Sequence, residues 1–314
     1  MSASPPTIEG ALAATGEYRA GGTDLQQRLR SGVSHGPVID LAGLPGLDAI
    51  EWDEQGRATI GALAPIAALA TDPRVLASYP GLALSAGALA TPQIRAAGTL
   101  GGNLLQRNRC WYFQNPGVNC LKKGGDDCPA RSGNHLYGVC FDLGPCVAPH
   151  PSTLGMALLA YGAEVDVAGG GTRSVAALYG DGSDGRHDHQ LREHELLTAV
   201  LMPEPLEGER AAYFRAISRA LAEWPLVEAV VRLVVADGTV RFARVAVGGV
   251  APVPLRLESV EEALLNRPAS PETFEEAVSS ATQGARPLPM TRYKLELLPG
   301  TVRETLERAV AAGP

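Results

Sequence analysis

Two glycine-rich stretches, Ala20-Gly21-Gly22-Thr23-Asp24-Leu25 and Ala97-Gly98-Thr99-Leu100-Gly101-Gly102-Asn103, decide how the chain is read. Each sets glycines and a hydroxyl just ahead of a helical stretch, where backbone N–H groups free of side chains favour a phosphate. The first loop alone reads equally well as a plain strand-to-helix turn. Together, in one domain, the two suit a diphosphate gripped from both sides. Neither has the Gly-x-Gly-x-x-Gly or Gly-x₄-Gly-Lys-Ser/Thr spacing, which disfavours a Rossmann or P-loop nucleotide site.

Outward from the first loop, Thr7 caps a short helix running through Ala14, and Asp24 to Leu29 reads as helix. Pro37–Leu41 reads as a buried strand, and Ala49–Trp52 with Ala58–Ile60 as a hairpin. Helices are expected over 65–70 and 80–90, the latter opened by Pro80. Beyond the second loop, residues 107–151 form a long polar, cysteine-bearing stretch, and loops of that length normally carry function. Helix 154–159 and strands 163–167 and 197–202 follow, and Pro203–Glu209 reads as a linker. Past it, Val227–Ala236 and Val240–Val247 are expected as antiparallel strands joined by Asp237-Gly238. Ser270-Pro271 starts a helix, and Thr301 with Glu304 makes a capping box for the last one.

The 314 residues are 45% hydrophobic and 19% charged, ordinary for a globular chain. A formal charge of −7 without a basic block argues against nucleic acid as a partner. No apolar run is long enough for membrane insertion. The opening Met-Ser-Ala-Ser-Pro-Pro lacks a signal-peptide pattern, which points to the cytoplasm; co-export with a signal-bearing partner is the route to a periplasmic location.

All five cysteines, Cys110, Cys120, Cys128, Cys140 and Cys146, fall in the long loop, with gaps of nine, seven, eleven and five residues. A disulfide framework suits small secreted domains and even cysteine counts. Structural zinc usually takes closely paired cysteine knuckles, absent here. A [4Fe–4S] cluster tolerates wide spacing in a loop wrapped around it, and Gly117, Gly124, Gly125 and Gly133 let such a loop bend. Spacing alone leaves the three readings open.

With these residues in place, the chain resembles the FAD-binding medium subunit of the xanthine oxidase family of molybdenum hydroxylases. The resemblance is carried in order by the two glycine loops, Ile39–Leu41, Ile60–Leu63, Thr91–Arg95, His150-Pro151-Ser152, Leu196–Leu201 and Gly248–Pro252. It implies a PCMH-like FAD-binding domain of the vanillyl-alcohol-oxidase type, made of two α/β subdomains and followed by a C-terminal α+β domain. The corresponding divisions are 1–55, 56–205 with the loop 107–151 inserted, and 206–314. Residues Ala20–Leu25 and Gly98–Asn103 would contact the diphosphate and the edge of the isoalloxazine, with Thr91 and Ile94 beside them. Ser152 would approach the adenine-side phosphate or ribose, and Tyr293-Lys294 the flavin. The loop itself resembles that of the flavoprotein subunit of bacterial periplasmic-type aldehyde oxidoreductases and, more distantly, of 4-hydroxybenzoyl-CoA reductase. That likeness implies a [4Fe–4S] cluster on Cys110, Cys120, Cys128 and Cys146, with Cys140 spare. Where the family usually has Asp after Ser152, this chain has Thr153, and weaker FAD binding is expected.

The resemblance further implies an electron-transfer role beside a large molybdenum-cofactor subunit and a small [2Fe–2S] subunit, with a ferredoxin-like, quinone or other external acceptor. It gives the chain no general acid or base, because the cofactors perform the chemistry. Two other classes stay in view: a stand-alone FAD oxidase of the vanillyl-alcohol-oxidase type, and a zinc-stapled assembly protein without enzymatic activity. The loop His187-Asp188-His189 with His194 reads as solvated charge and Trp224-Pro225 as core. Arg107 and Arg109 read as tuning a cluster or pairing with a partner subunit, and Trp111–Phe113 as a lid or a subunit contact.

Overall fold

The computed structural model describes residues 2–220 and 222–313. Three sheets organise it. The first is parallel and three-stranded, with Val38–Asp40 between Ser2–Ala3 and Glu17–Arg19. Its two short helices, Ile8–Ala13 (capped by the Thr7 hydroxyl) and Leu25–Arg30, give the small α/β unit expected of the N-terminal stretch. Ala11, Ile39, Leu41, Leu44, Leu47 and Leu196 form the apolar cluster beneath it.

The second sheet is antiparallel, in the order Ile50–Trp52, Ala58–Gly61, Leu196–Leu201, Glu164–Ala168, Arg173–Ser174. Strand Leu196–Leu201 returns after more than a hundred residues to pair with the predicted hairpin, so the second glycine loop and the cysteine stretch lie between partners of one sheet. Helix Thr153–Tyr161 is buried nearly all round and carries no amphipathic stripe, whereas Pro80–Ala88 leaves Leu84 and Gly87 exposed.

The third sheet, Leu255–Arg256, Thr239–Gly248, Val227–Ala236 and Glu209–Ala216, is antiparallel and packs against helix Lys294–Ala311. That helix departs from expectation: it runs unbroken through Pro299, leaving Thr301 and Glu304 in its interior. The Thr301 hydroxyl donates to the Leu297 carbonyl one turn back, at 2.8 Å, instead of capping a helix start. Packing of Leu298, Val302 and Leu306 into the core holds the helix through a sequence that looks like a beginning. Among the described residues no helix is long and apolar enough to cross a membrane.

Candidate functional site

The two glycine loops meet. At Gly21 an added Cβ would stand 1.7 Å from the Ala97 carbonyl oxygen and 3.1 Å from the Gly98 Cα. Gly22 turns the chain at φ +73°, where a side chain is strained. Gly101 lies so close to Ala62 that a Cβ would come within 2.9 Å of its methyl. Thr99 caps the short helix Leu100–Leu104, its hydroxyl accepting from the Gly102 amide at 3.1 Å.

Together the loops wall a cleft of about 570 Å³. Ala20, Gly21, Gly22, Thr23, Asp24 and Leu25 line one side and Thr99, Gly101 and Gly102 the other, with residues 191–197 and His189 closing it. Leu100 is fully buried in the core instead. Thr91 caps the helix Pro92–Ala97, and Ile94, on that helix, is exposed; neither lines a cleft. Asn103 works behind the wall: its Oδ1 accepts from the Ser152 hydroxyl at 2.8 Å and from the Leu154 amide at 3.3 Å. Ser152 caps helix Thr153–Tyr161 and is itself buried.

A second cleft, about 370 Å³, opens beside Cys110. His150, Pro151, Glu228, Gly249 and Leu226 form its inner wall, and Trp111, Tyr137 and Trp224 its rim. Trp224 is 52% exposed with the Arg109 guanidinium 4.8 Å above its ring, so it is a rim residue and not core. Lys294 stands behind this wall, its Nζ donating to the Gly249 carbonyl at 2.6 Å. Burial pulls Lys294 down to about 8. The Tyr293 hydroxyl donates to the Leu136 carbonyl.

Thr153 faces a partner that the sequence did not reveal. Its hydroxyl donates to Glu228 Oε2 at 2.9 Å, and the Tyr213 hydroxyl donates to the same oxygen at 2.7 Å. Glu228 is fully buried, and desolvation raises its carboxyl above the ordinary range against the pull of those two donors. A carboxyl group from the strand Val227–Ala236 thus stands beside position 153.

The cysteine stretch folds over both clefts. Cys110 lies within electrostatic range of Cys120 and Cys128, and Cys128 stands beside Cys146. Their proximity lowers Cys128 and raises Cys146. Burial raises Cys110, which is met by the amides of Phe113 and Tyr112. Cys128 is met by those of Val147, Ala130 and Arg131, and Cys146 by that of Ala148. Cys140 stands apart, packed with Phe141 into the core under the third sheet and pushed up to about 11 by burial. Among the described residues no three His, Cys, Asp or Glu side chains gather closely enough to hold a single metal ion.

The charged residues around this stretch pair within the chain. Asp188 was expected in solvent; it is buried, accepting from Arg107 at 2.6 Å and from Lys122 at 2.9 Å, which hold its carboxyl well below the usual range against desolvation. Arg109 pairs with Asp24 at 2.6 Å. Asp24 therefore lines the first cleft with its carboxylate already engaged.

Residues 9–205 match the family model for the FAD binding domain in molybdopterin dehydrogenase, and 212–309 that for the CO dehydrogenase flavoprotein C-terminal domain. The aldehyde oxidoreductase FAD-binding subunit PaoB of Escherichia coli (strain K12) is 33% identical over 94% of this chain and 92% of its own length. The carbon monoxide dehydrogenase medium chain of Hydrogenophaga pseudoflava is 25% identical over 88% of this chain and 80% of its own. The structure of the dehydrogenase from that organism superposes with a TM-score of 0.78 at 22% identity, covering all of this chain and 98% of the other. Quinoline 2-oxidoreductase from Pseudomonas putida 86 gives 0.77 at 19% identity, covering 99% and 96%. With the family model spanning well over half its length, the chain belongs to the FAD-binding medium subunits of the xanthine oxidase family of molybdenum hydroxylases, as an oxidoreductase component.

Proposed function

We propose that this chain carries FAD across its two clefts and a [4Fe–4S] cluster on Cys110, Cys120, Cys128 and Cys146, as the electron-transferring subunit of an aldehyde oxidoreductase. Its partners are a large molybdenum-cofactor subunit and a small [2Fe–2S] subunit, and it delivers electrons to an external acceptor. The observation carrying the cluster is the donor set: Cys110 lies within electrostatic range of Cys120 and Cys128, Cys128 stands beside Cys146, and backbone amides meet three of these four thiols. Thiolates spread around a volume suit a cubane, which takes one ligand per corner, better than a single ion. The aldehyde reading rests on the likeness to the PaoB subunit.

When bound, the two cofactors exchange single electrons between one another, and the flavin can also pass on two at once. The chain's part is to hold and shield them. Gly21, Gly22, Gly101 and Gly102 leave the cleft wall free of side chains where the diphosphate would lie. His150, with burial lowering it to about 4, stays neutral at physiological pH and adds no charge beside the second cleft. Glu228 places a carboxyl on that wall, held by Tyr213 and Thr153.

Iron, acid-labile sulfide and flavin are measured on the purified chain co-produced with its neighbours. The expectation is FAD plus four irons per chain in wild type and in Cys140→Ser, and loss of iron with FAD retained in Cys128→Ser. Zinc without sulfide, or iron loss in Cys140→Ser alone, refutes the ligand set.

A further inference from the structure

Resting on that reading, the geometry points to Asp24 and Asp188 as positioning residues that couple FAD binding to loading of the cysteine site. Each carboxylate joins a wall of the first cleft to a cysteine-bearing turn. Asp24 directly follows Thr23 in the first glycine loop, and its carboxylate is taken up within the chain. Its Oδ1 accepts from Arg109 Nη1 at 2.6 Å, and its Oδ2 from Arg28 Nε at 3.0 Å and from the Arg107 amide at 3.4 Å. Arg109 immediately precedes Cys110, whose own amide is held by Asn108 Oδ1 at 3.0 Å.

Asp188 repeats the arrangement on the other side. It precedes His189, which lines the same cleft, and it bridges Arg107 to Lys122, two residues beyond Cys120. The Arg107 guanidinium also donates to the Lys122 carbonyl at 3.2 Å and lies 4.9 Å over the Phe113 ring. Two of the four thiols are thereby fixed through charge-assisted contacts to the loops that surround the nucleotide.

These contacts are largely buried, with side-chain exposures of 15% and 16% for Asp24 and Arg109, and 3% and 5% for Asp188 and Lys122. Water screens such pairs poorly, and their geometry is stiff. A diphosphate held by the first glycine loop would bear on Asp24 and, through its bonds to Arg109 and the Arg107 amide, on the 107–110 segment. By linkage the reverse holds: an ordered cysteine turn presents the glycine loop in its binding conformation, and each ligand raises affinity for the other by the same factor.

The full-length chain is reconstituted with iron and sulfide, and FAD is titrated by flavin fluorescence into cluster-loaded and cluster-free samples. Wild type is expected to bind FAD at least tenfold more tightly when loaded. Asp24→Asn and Arg109→Gln bring that ratio toward one, and Asp24→Glu restores part of it. In parallel, FAD should slow iron loss to a chelator in wild type and not in Arg109→Gln, and shift the electron paramagnetic resonance signal of the reduced cluster only in wild type. A wild-type chain that binds both cofactors with a ratio of one, or variants that keep the wild-type ratio, overturns the coupling. A wild-type chain that takes up FAD and no iron removes the cluster reading instead, and the coupling with it.

Discussion

Replacing Gly21 by Ala tests the central contact between the two glycine loops. The new methyl would lie 1.7 Å from the Ala97 carbonyl oxygen and 2.7 Å from its carbon, and both are backbone atoms that cannot rotate away. Contacts under 3.0 Å essentially never occur for a Cβ, so the loops must separate by more than an ångström where Gly21 meets Ala97. Overpacking of this kind costs about 1–3 kcal/mol, and each 1.4 kcal/mol is about tenfold in affinity. If most of that strain falls on the diphosphate grip, FAD binding weakens about 10- to 100-fold while the distant third sheet is untouched. Gly43→Ala is the matched control, since a methyl there meets nothing within 4 Å and φ is not positive. The assay is FAD titration of flavin-stripped protein, with circular dichroism to verify folding. A folded Gly21→Ala chain that binds FAD as wild type does would refute the two-sided grip.

The buried pair Arg232–Glu209 offers a second test. Two bonds of 3.0 and 2.7 Å join side chains no more than 4% exposed, with Tyr161 donating to the same carboxylate at 2.8 Å. Glu209→Gln leaves a buried guanidinium uncompensated and should destabilise the chain by about 3–5 kcal/mol, read from denaturant unfolding. Glu228→Gln should behave in a pH-dependent way. Because burial raises the Glu228 carboxyl, its contribution to stability is full below the unfolded value and is lost as pH rises through the folded one. The melting temperature of Glu228→Gln relative to wild type should therefore climb as pH rises above the ordinary carboxylate range, and a flat difference would contradict the raised carboxyl.

The glycine loops, the hairpin and the long antiparallel pair were legible in the sequence because each rests on local chemistry. Gly21 and Gly22 announce a backbone that tolerates no side chain, and the alternation through 227–247 with Asp237-Gly238 announces a hairpin. The reading went astray where distant partners decide the outcome. Thr301 and Glu304 carry a start signal, but burial of Leu298 and Val302 overrides it. Asp188 sits among glycines and charges like a solvated loop residue, and only Arg107 and Lys122, far away in the chain, bury it. Asp24 lies in a motif that suits a phosphate, and its pairing with Arg109 from the cysteine stretch could not be read locally. Thr153 looks like a lost carboxylate until Glu228 is seen beside it.

The bonds from Ser152 and Leu154 to Asn103, together with the Tyr179 hydroxyl donating to the Leu104 carbonyl at 3.1 Å, pin the two roots of the sulfur-bearing excursion side by side. A detour that departs and returns at one spot can be shortened or swapped without rethreading the sheets around it.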